Sequence, residues 1–331
     1  MAATRARLER YLNRVWYAQR RPPLWLRALV PVYRALAVRR WERPGERPPC
    51  PVVVVGNITV GGSGKTPVVA ALARQLVAAG HAPAVISRGY GGRSGSEPKA
   101  VTPASDPGSV GDEPVLLARR AGCAVWVCRD RRAALAAARR GGADVIVADD
   151  GLQHSRLPRS HEICVIDGLH GLGNGHLLPA GPLRQPVARL ESVDQVLIKH
   201  AGADQGDRNT PGEPFTVVPG RLYRLGNEGS DPSPPATVFD AVCAIGNPAS
   251  FFALLEALGI RFRRRPFPDH HVFRARDLAD LSGPLLVTEK DAVKLERLEG
   301  LPEIWVLPIE ARLPDRVGQA VLAHVREFEV P

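Results

Sequence analysis

Four consecutive valines, Val52–Val55, run straight into Gly56-Asn57-Ile58-Thr59-Val60-Gly61-Gly62-Ser63-Gly64-Lys65-Thr66, and a helical pattern leaves that loop over Lys65–Ala79. No other stretch of this chain constrains it as strongly. A continuous apolar run of this length is a strand buried on both faces. Glycines let successive backbone N–H groups curl around phosphate oxygens, and the helix start adds its partial positive charge. Lys65 would reach the β- and γ-phosphates of a nucleotide, and the Thr66 hydroxyl would bind Mg²⁺. Thr59, Gly61, Gly62, Ser63, Gly64, Lys65 and Thr66 are therefore the nucleotide-binding candidates. The strict pattern has a glycine five residues before Gly64, where this chain has Thr59.

Apolar strands alternate with helical stretches from 51 to 200, which predicts a P-loop NTPase-like α/β fold, a parallel sheet flanked by helices. Residues 201–237 are rich in Gly, Pro, Asp and Ser and read as a linker. Further strand and helix patterns follow it. The expected division is an N-terminal segment 1–48, a P-loop domain 49–200, a linker 201–237 and a smaller C-terminal α/β domain 238–331. The polar run Arg93–Gly111 reads as a mobile loop. The five cysteines form no CxxC pair, and several lie in apolar runs, which fits a reducing, cytoplasmic compartment.

The apolar strand Val145–Ala148 ends in Asp149-Asp150-Gly151. Ligands of open α/β sheets bind at strand C-termini, so one of Asp149 and Asp150 is expected to hold Mg²⁺. Gln153 and His154 follow closely enough to reach the same cleft. Ser87-Arg88-Gly89-Tyr90 also leaves a strand, and the planar guanidinium of Arg88 suits a phosphate. Gly111-Asp112-Glu113-Pro114 opens a helix, where Asp112 is either an N-cap or a catalytic carboxylate. His270, in Phe267-Pro268-Asp269-His270-His271, is either a solvated loop histidine or an acid/base or orienting group.

The net charge is +10, and residues 1–50 hold twelve arginines, no lysine and three glutamates, nearly the whole excess. A general nucleic-acid surface is therefore not indicated. Leu8, Tyr11, Leu12, Val15 and Trp16 fall on one helical face. A second apolar run follows Pro22-Pro23, interrupted by Arg27, Pro31 and Arg34, too short and too charged to span a bilayer. A basic amphipathic segment with tryptophans suits an anionic membrane surface.

Taken together, Gly56–Pro67, Ser87-Arg88-Gly89-Tyr90-Gly91, Gly111-Asp112-Glu113-Pro114 and Asp149-Asp150-Gly151-Leu152-Gln153-His154 resemble the tetraacyldisaccharide 4′-kinases of lipid A biosynthesis. So do Leu178-Pro179-Ala180-Gly181-Pro182-Leu183-Arg184, Phe267-Pro268-Asp269-His270 and Val287-Thr288-Glu289-Lys290-Asp291-Ala292-Val293-Lys294, all in family order. The Thr59 departure is shared by the family pattern. Gln185 stands where that pattern has a glutamate. The resemblance implies ATP and Mg²⁺, and phosphorylation of the 4′-hydroxyl of a tetraacylated glucosamine disaccharide 1-phosphate at the cytoplasmic face of the inner membrane. It implies that Asp112 acts on the acceptor hydroxyl with His270 paired to it. Arg88, Tyr90, Glu113, Gln153 and His154 are the substrate-contact candidates. The N-terminal segment resembles that family's membrane-associating helix, and no obligate protein partner is implied.

Two other classes share parts of the pattern. A partition-type ATPase switch carries a signature lysine where this chain has Val60. A G-protein-like switch needs Asn-Lys-x-Asp, and the nearest phrase here, Thr288-Glu289-Lys290-Asp291, lacks the asparagine.

Overall fold

The structure is a computed structural model that describes residues 2–18, 21–41, 46–93, 95–200, 211–226, 237–281 and 283–328. Strands β1 (Val52–Gly56), β2 (Pro83–Ser87), β3 (Lys99–Val101), β4 (Ala124–Val127), β5 (Val145–Asp149), β6 (His161–Asp167), β7 (Gln195–His200) and β8 (Glu213–Pro219) belong to one sheet. Strands β9 (Tyr223–Arg224), β10 (Phe239–Cys243), β11 (Phe262–Pro266), β12 (Leu285–Thr288) and β13 (Ile304–Leu307) form a second. The last strand, β14 (Ile309–Arg312), returns to the first sheet, whose order is β14-β8-β7-β6-β1-β5-β2-β4-β3. Among the described residues only its two edges, β14 and β3, pair antiparallel. The smaller sheet runs β11-β10-β12-β13-β9.

Helices α1 (Ala2–Tyr17) and α2 (Leu24–Trp41) precede β1. The large sheet is covered by α3 (Lys65–Ala78), α4 (Pro107–Val110), α5 (Asp112–Arg120) and α6 (Arg131–Arg140). The small lobe carries α7 (Pro248–Ala257) and α8 (Glu289–Leu295), and α9 (Asp315–Glu327) is the last described helix. The valines of β1 divide by parity. Val53 and Val55 join the core beneath α3, α5 and α9, and Val52 and Val54 join the core beneath α6. Burial on both faces is why the run shows no polar alternation. The small sheet is likewise covered on two faces, by clusters around Val287 and Phe252.

The observed boundaries differ from the expected ones. Residues 213–219, expected in the linker, form β8 through Phe215 and Val217, which pack on the large core. Residues 201–210 and 227–236 lie outside the described residues. Strand β14 and helix α9, expected in the small domain, complete the large one, and an added Cβ at Gly318 of α9 would meet the Gln75 side chain of α3 at 2.4 Å. Arg93–Gly111, expected as a mobile loop, contains β3 and α4, the latter capped by the Asp106 carboxylate at 3.1 Å from the Gly108 N–H.

The stripe expected on α1 also divides. Val15 and Trp16 are buried with Leu26 and Ala180, and Trp16 Nε1 donates to the Pro179 carbonyl at 2.9 Å. Leu8 and Tyr11 remain exposed. The larger open apolar face lies on α2, where Leu24, Trp25, Leu29, Val32 and Leu36 are 77%, 55%, 46%, 57% and 70% exposed. No helix among the described residues is long and apolar enough to cross a membrane.

Candidate active site

The loop between β1 and α3 needs its glycines at two points: Gly61 and Gly64 have φ of 106° and 85°, the left-handed region that side chains with a Cβ rarely adopt. Thr59 is not among the positive-φ residues and forms a bridge with Leu183, so the departure from the strict pattern costs no backbone strain. No side chain caps the start of α3, and the buried Ser63 hydroxyl has no partner among the described residues. Uncapped N–H groups at a helix start are an anion site. Thr66 is the second residue of that helix.

Lys65 Nζ lies 3.3 Å from Asp150, and Arg184 reaches the same carboxylate at 3.3 and 3.4 Å. Burial pushes the Asp150 carboxyl up, but Lys65, Arg184 and Arg131 overcome it and hold it well below the carboxylate range. Asp149 is the opposite case. It is 2% exposed, its Oδ1 has no hydrogen-bond partner among the described residues, and burial, then Glu113 and Asp150, push its pKa to about 7. Arg131, itself buried, donates to the Asp149 main-chain oxygen at 2.7 Å. Gln153 Nε2 donates to the Asn57 carbonyl at 2.7 Å and to Gln185 Oε1 at 2.9 Å, so the glutamine at 185 is a buried acceptor beside the loop. His154 is half-buried, its Nδ1 has no partner among the described residues, and burial followed by Arg131 lowers its pKa.

Asp112, 5% exposed, opens α5 of the large lobe, and His270 comes from the loop after β11 of the small one. They meet at 3.2 Å through Asp112 Oδ2 and His270 Nδ1. His270 adopts a φ of 57°, and Tyr90 packs edge-on against its ring at 5.0 Å between centroids. Burial raises Asp112, but the His270 hydrogen bond and the charges of Lys290 and Lys294 reverse it, leaving the carboxyl below its ordinary value. Burial lowers the His270 pKa and Lys290 adds to that, but the Asp112 hydrogen bond with the Asp112 and Asp269 charges together overcome both and leave it above its ordinary value. Glu113 pairs with Lys290 at 3.1 Å, and Arg88 is exposed at the end of β2. The lobes also touch at the phosphate loop: a Cβ added at Gly246 would sit 3.2 Å from the Gly62 nitrogen.

The structure thus brings Asp112, His270, Glu113 and Tyr90 into one cluster, and Lys65, Asp149 and Asp150 with Gln153 into the adjoining loop. Asn57, Asp167, Arg184, Lys199, Lys290 and Lys294 were not singled out from sequence. Arg184 accepts the role of a second cation on Asp150, and its Nε donates to the Thr59 carbonyl at 3.0 Å. Asp167 ends β6 as Asp149 ends β5, the same signal at a neighbouring strand, and pairs with Lys199 at 3.2 Å.

The Tetraacyldisaccharide-1-P 4'-kinase family model matches residues 21–326. A tetraacyldisaccharide 4'-kinase from Alkalilimnicola ehrlichii is 50% identical over 310 residues, covering 88% of this chain and 91% of the relative. One from Dechloromonas aromatica is 44% identical over 336 residues, covering 98% and 99%. A crystal structure of "apo" form LpxK from Aquifex aeolicus in complex with ATP matches with a TM-score of 0.68 at 24% identity, covering 90% of this chain and 95% of that one. At that identity it establishes a common fold. These matches give no support to either switch-type alternative.

Proposed function

The chain belongs to the tetraacyldisaccharide-1-P 4'-kinase family, and on that premise we propose that it transfers the γ-phosphate of ATP to the 4′-hydroxyl of a tetraacylated glucosamine disaccharide 1-phosphate at the cytoplasmic face of the inner membrane. The observation that carries the reading is the Asp112–His270 pair, 3.2 Å apart and drawn from different lobes, beside an uncapped phosphate loop. Phosphoryl transfer needs little covalent help from protein; it needs position and charge stabilisation. The loop N–H groups from Gly61 to Lys65 cradle phosphate oxygens, and Lys65 exchanges Asp150 for the transferring phosphate. Asp112, kept ionised, orients the sugar hydroxyl and receives its proton late. Closure of the small lobe over the loop, at Gly246 and Gly62, excludes water and so limits wasted hydrolysis.

A divalent cation fits the donor set, because the buried Asp149 Oδ1 has no hydrogen-bond partner among the described residues while Asp150 already has two. Thr66 and Asp149 would hold Mg²⁺ with Asp150 beside them, and the bound ion would neutralise phosphate charge. Arg88, Tyr90 and Glu113 line the side from which the acceptor enters. The exposed faces of α1 and α2 would rest on an anionic membrane. Their buried sides are tied to the site's own loop, since Tyr33 donates to the Arg184 carbonyl at 2.9 Å. An acyl-anchored sugar is thereby presented to the pair without leaving the interface.

The test is incubation with γ-labelled ATP, Mg²⁺ and a tetraacylated disaccharide 1-phosphate. Label in the lipid at the 4′ position is expected. Release of inorganic phosphate that is equal with and without the lipid would overturn the reading.

A further inference from the structure

The α8 side chain of Lys290 reaches the back of the catalytic pair. Its Nζ lies 3.2 Å from His270 Nε2, 3.1 Å from Glu113 Oε1 and 3.4 Å from Asp269 Oδ1. Burial lowers its pKa, but the Glu113, Asp112 and Asp269 carboxylates overcome that and hold it above the ordinary lysine range. An ammonium has three protons and no acceptor. Three neighbours receive them, so His270 must meet Lys290 with the Nε2 lone pair. The imidazole proton is then on Nδ1, pointing at Asp112 Oδ2, 3.2 Å away.

We propose that Lys290 is a positioning residue of the catalytic pair: it fixes His270 as the neutral Nδ1–H form, so that His270 donates to Asp112 and cannot take a proton from it. When the sugar O–H bond breaks, its oxygen bonds to the γ-phosphorus, the bond from that phosphorus to ADP breaks, and the proton stays on Asp112. His270 orients the carboxylate and does not relay the proton.

The groups against the imidazole are Asp112 from α5, Asp269 from its own loop, Lys290 from α8 and the Tyr90 ring, and Glu113 of α5 meets Lys290 rather than the ring. Lys294, on the same face of α8, lies 3.8 Å from Asp112 and 2.7 Å from the buried Asp291, so it touches the carboxylate and not the ring. An imidazolium would aim its Nε2–H at an ammonium. It could form only if Lys290 swung away and Nε2–H turned to Asp269 Oδ2, which is 3.7 Å off. Burial and then Lys290 pull the His270 pKa down, and the Asp112 hydrogen bond with the Asp112 and Asp269 charges leaves it above its ordinary value in the intact protein, so the neutral ring is read at pH 8. Removing Lys290 therefore lets the ring protonate at higher pH.

The proposal rests on the Asp112–His270 reading, but its decisive measurement needs no acceptor lipid. Nitrogen-15 NMR of the full chain, with His270 assigned by H270Q, is expected to show a protonated Nδ1 and an unprotonated Nε2 at pH 8. In K290M the His270 midpoint rises by on the order of one pH unit, the effect of a full charge at contact distance. At pH 7, K290M loses about tenfold in kcat with the KM for ATP within about twofold, and K290R, which keeps donor and charge, recovers most of it. An Nε2–H or imidazolium signal in the wild-type protein at pH 8 overturns the proposal without any variant. So does a K290M midpoint equal to the wild type's, or an equal loss of kcat in K290M and K290R. Failure of lipid labelling with the expected NMR signature would instead overturn the functional reading and leave the tautomer assignment standing.

Discussion

Replacing Asp149 with asparagine should stabilise the ligand-free protein and disable it at once. Asp149 ends β5 with its Oδ1 unpartnered among the described residues, and its pKa is pushed from 3.8 to about 7, first by burial and then by Glu113 and Asp150. A carboxyl whose folded pKa lies above its unfolded value costs stability as pH rises between the two, and carries the full cost above the higher one. At about 1.36 kcal/mol per unit, a shift of roughly three units sets a ceiling of about 4 kcal/mol. Water entry and relaxation around a buried charge reduce this to about 2 kcal/mol. A neutral amide of the same shape escapes that cost. Thermal unfolding without nucleotide or divalent ion should give D149N and wild type similar melting temperatures at pH 4. At pH 8 the variant should melt about 4 °C higher, at roughly 2 °C per kcal/mol for a chain of this size. Adding Mg²⁺ and a non-hydrolysable ATP analogue should raise the wild type by mass action and the variant much less. A pH-independent difference, or D149N melting below wild type at pH 8, would refute the assignment of Asp149 as an orphaned carboxylate awaiting a cation.

Three other outcomes follow from the same geometry. Lys65→Ala should lower kcat for transfer by about 10²–10³, the usual loss of one donor aimed at developing charge, and wild-type turnover at saturating ATP would remove Lys65 from the reaction. Asp112→Ala should reduce kcat by about 10²–10⁴ with little change in ATP affinity; His270→Ala should cost less, and the double variant should fall short of additivity because the two act together, whereas a simple sum would show independent roles. Serine at Leu24, Trp25, Leu29 and Leu36, all exposed on α2, should leave folding and ATP binding intact and strip binding to anionic vesicles in a sedimentation assay; binding that depends on salt alone, unchanged by these four substitutions, would place the attraction in the arginines.

What could be read from the residues is what the chain encodes locally. The four valines, the glycines and Lys65 specify strand, loop and helix within fifteen positions, and Asp149-Asp150 announces itself as an acidic strand end. Asp112 was legible as a helix-opening residue, but its chemistry depended on meeting His270, which lies 158 residues away. The return of β14 to pair with β8 had no local signature, because antiparallel pairing of two short edge strands is decided by which backbone edge is left open. The α1 stripe was real as a periodicity, yet periodicity gives a face and not what the face meets. Val15 and Trp16 meet the protein, and the open apolar surface moved to α2, where Arg27, Pro31 and Arg34 had obscured it. Lys290 and Lys294 illustrate the same limit from the polar side. Two lysines one turn apart on a short helix look like a solvated face. They become part of the site only because α8 packs on α5, whose start holds Asp112 and whose end is tied to α8 by Arg119–Glu296 and Arg120–Glu289 ion pairs. Carboxylate and ammonium are thus held by one helix pair, with the imidazole set between them from the loop after β11, so a substitution that loosens the far ion pairs should misalign the near contacts. The site's precision is a property of the α5–α8 packing and not of any single motif.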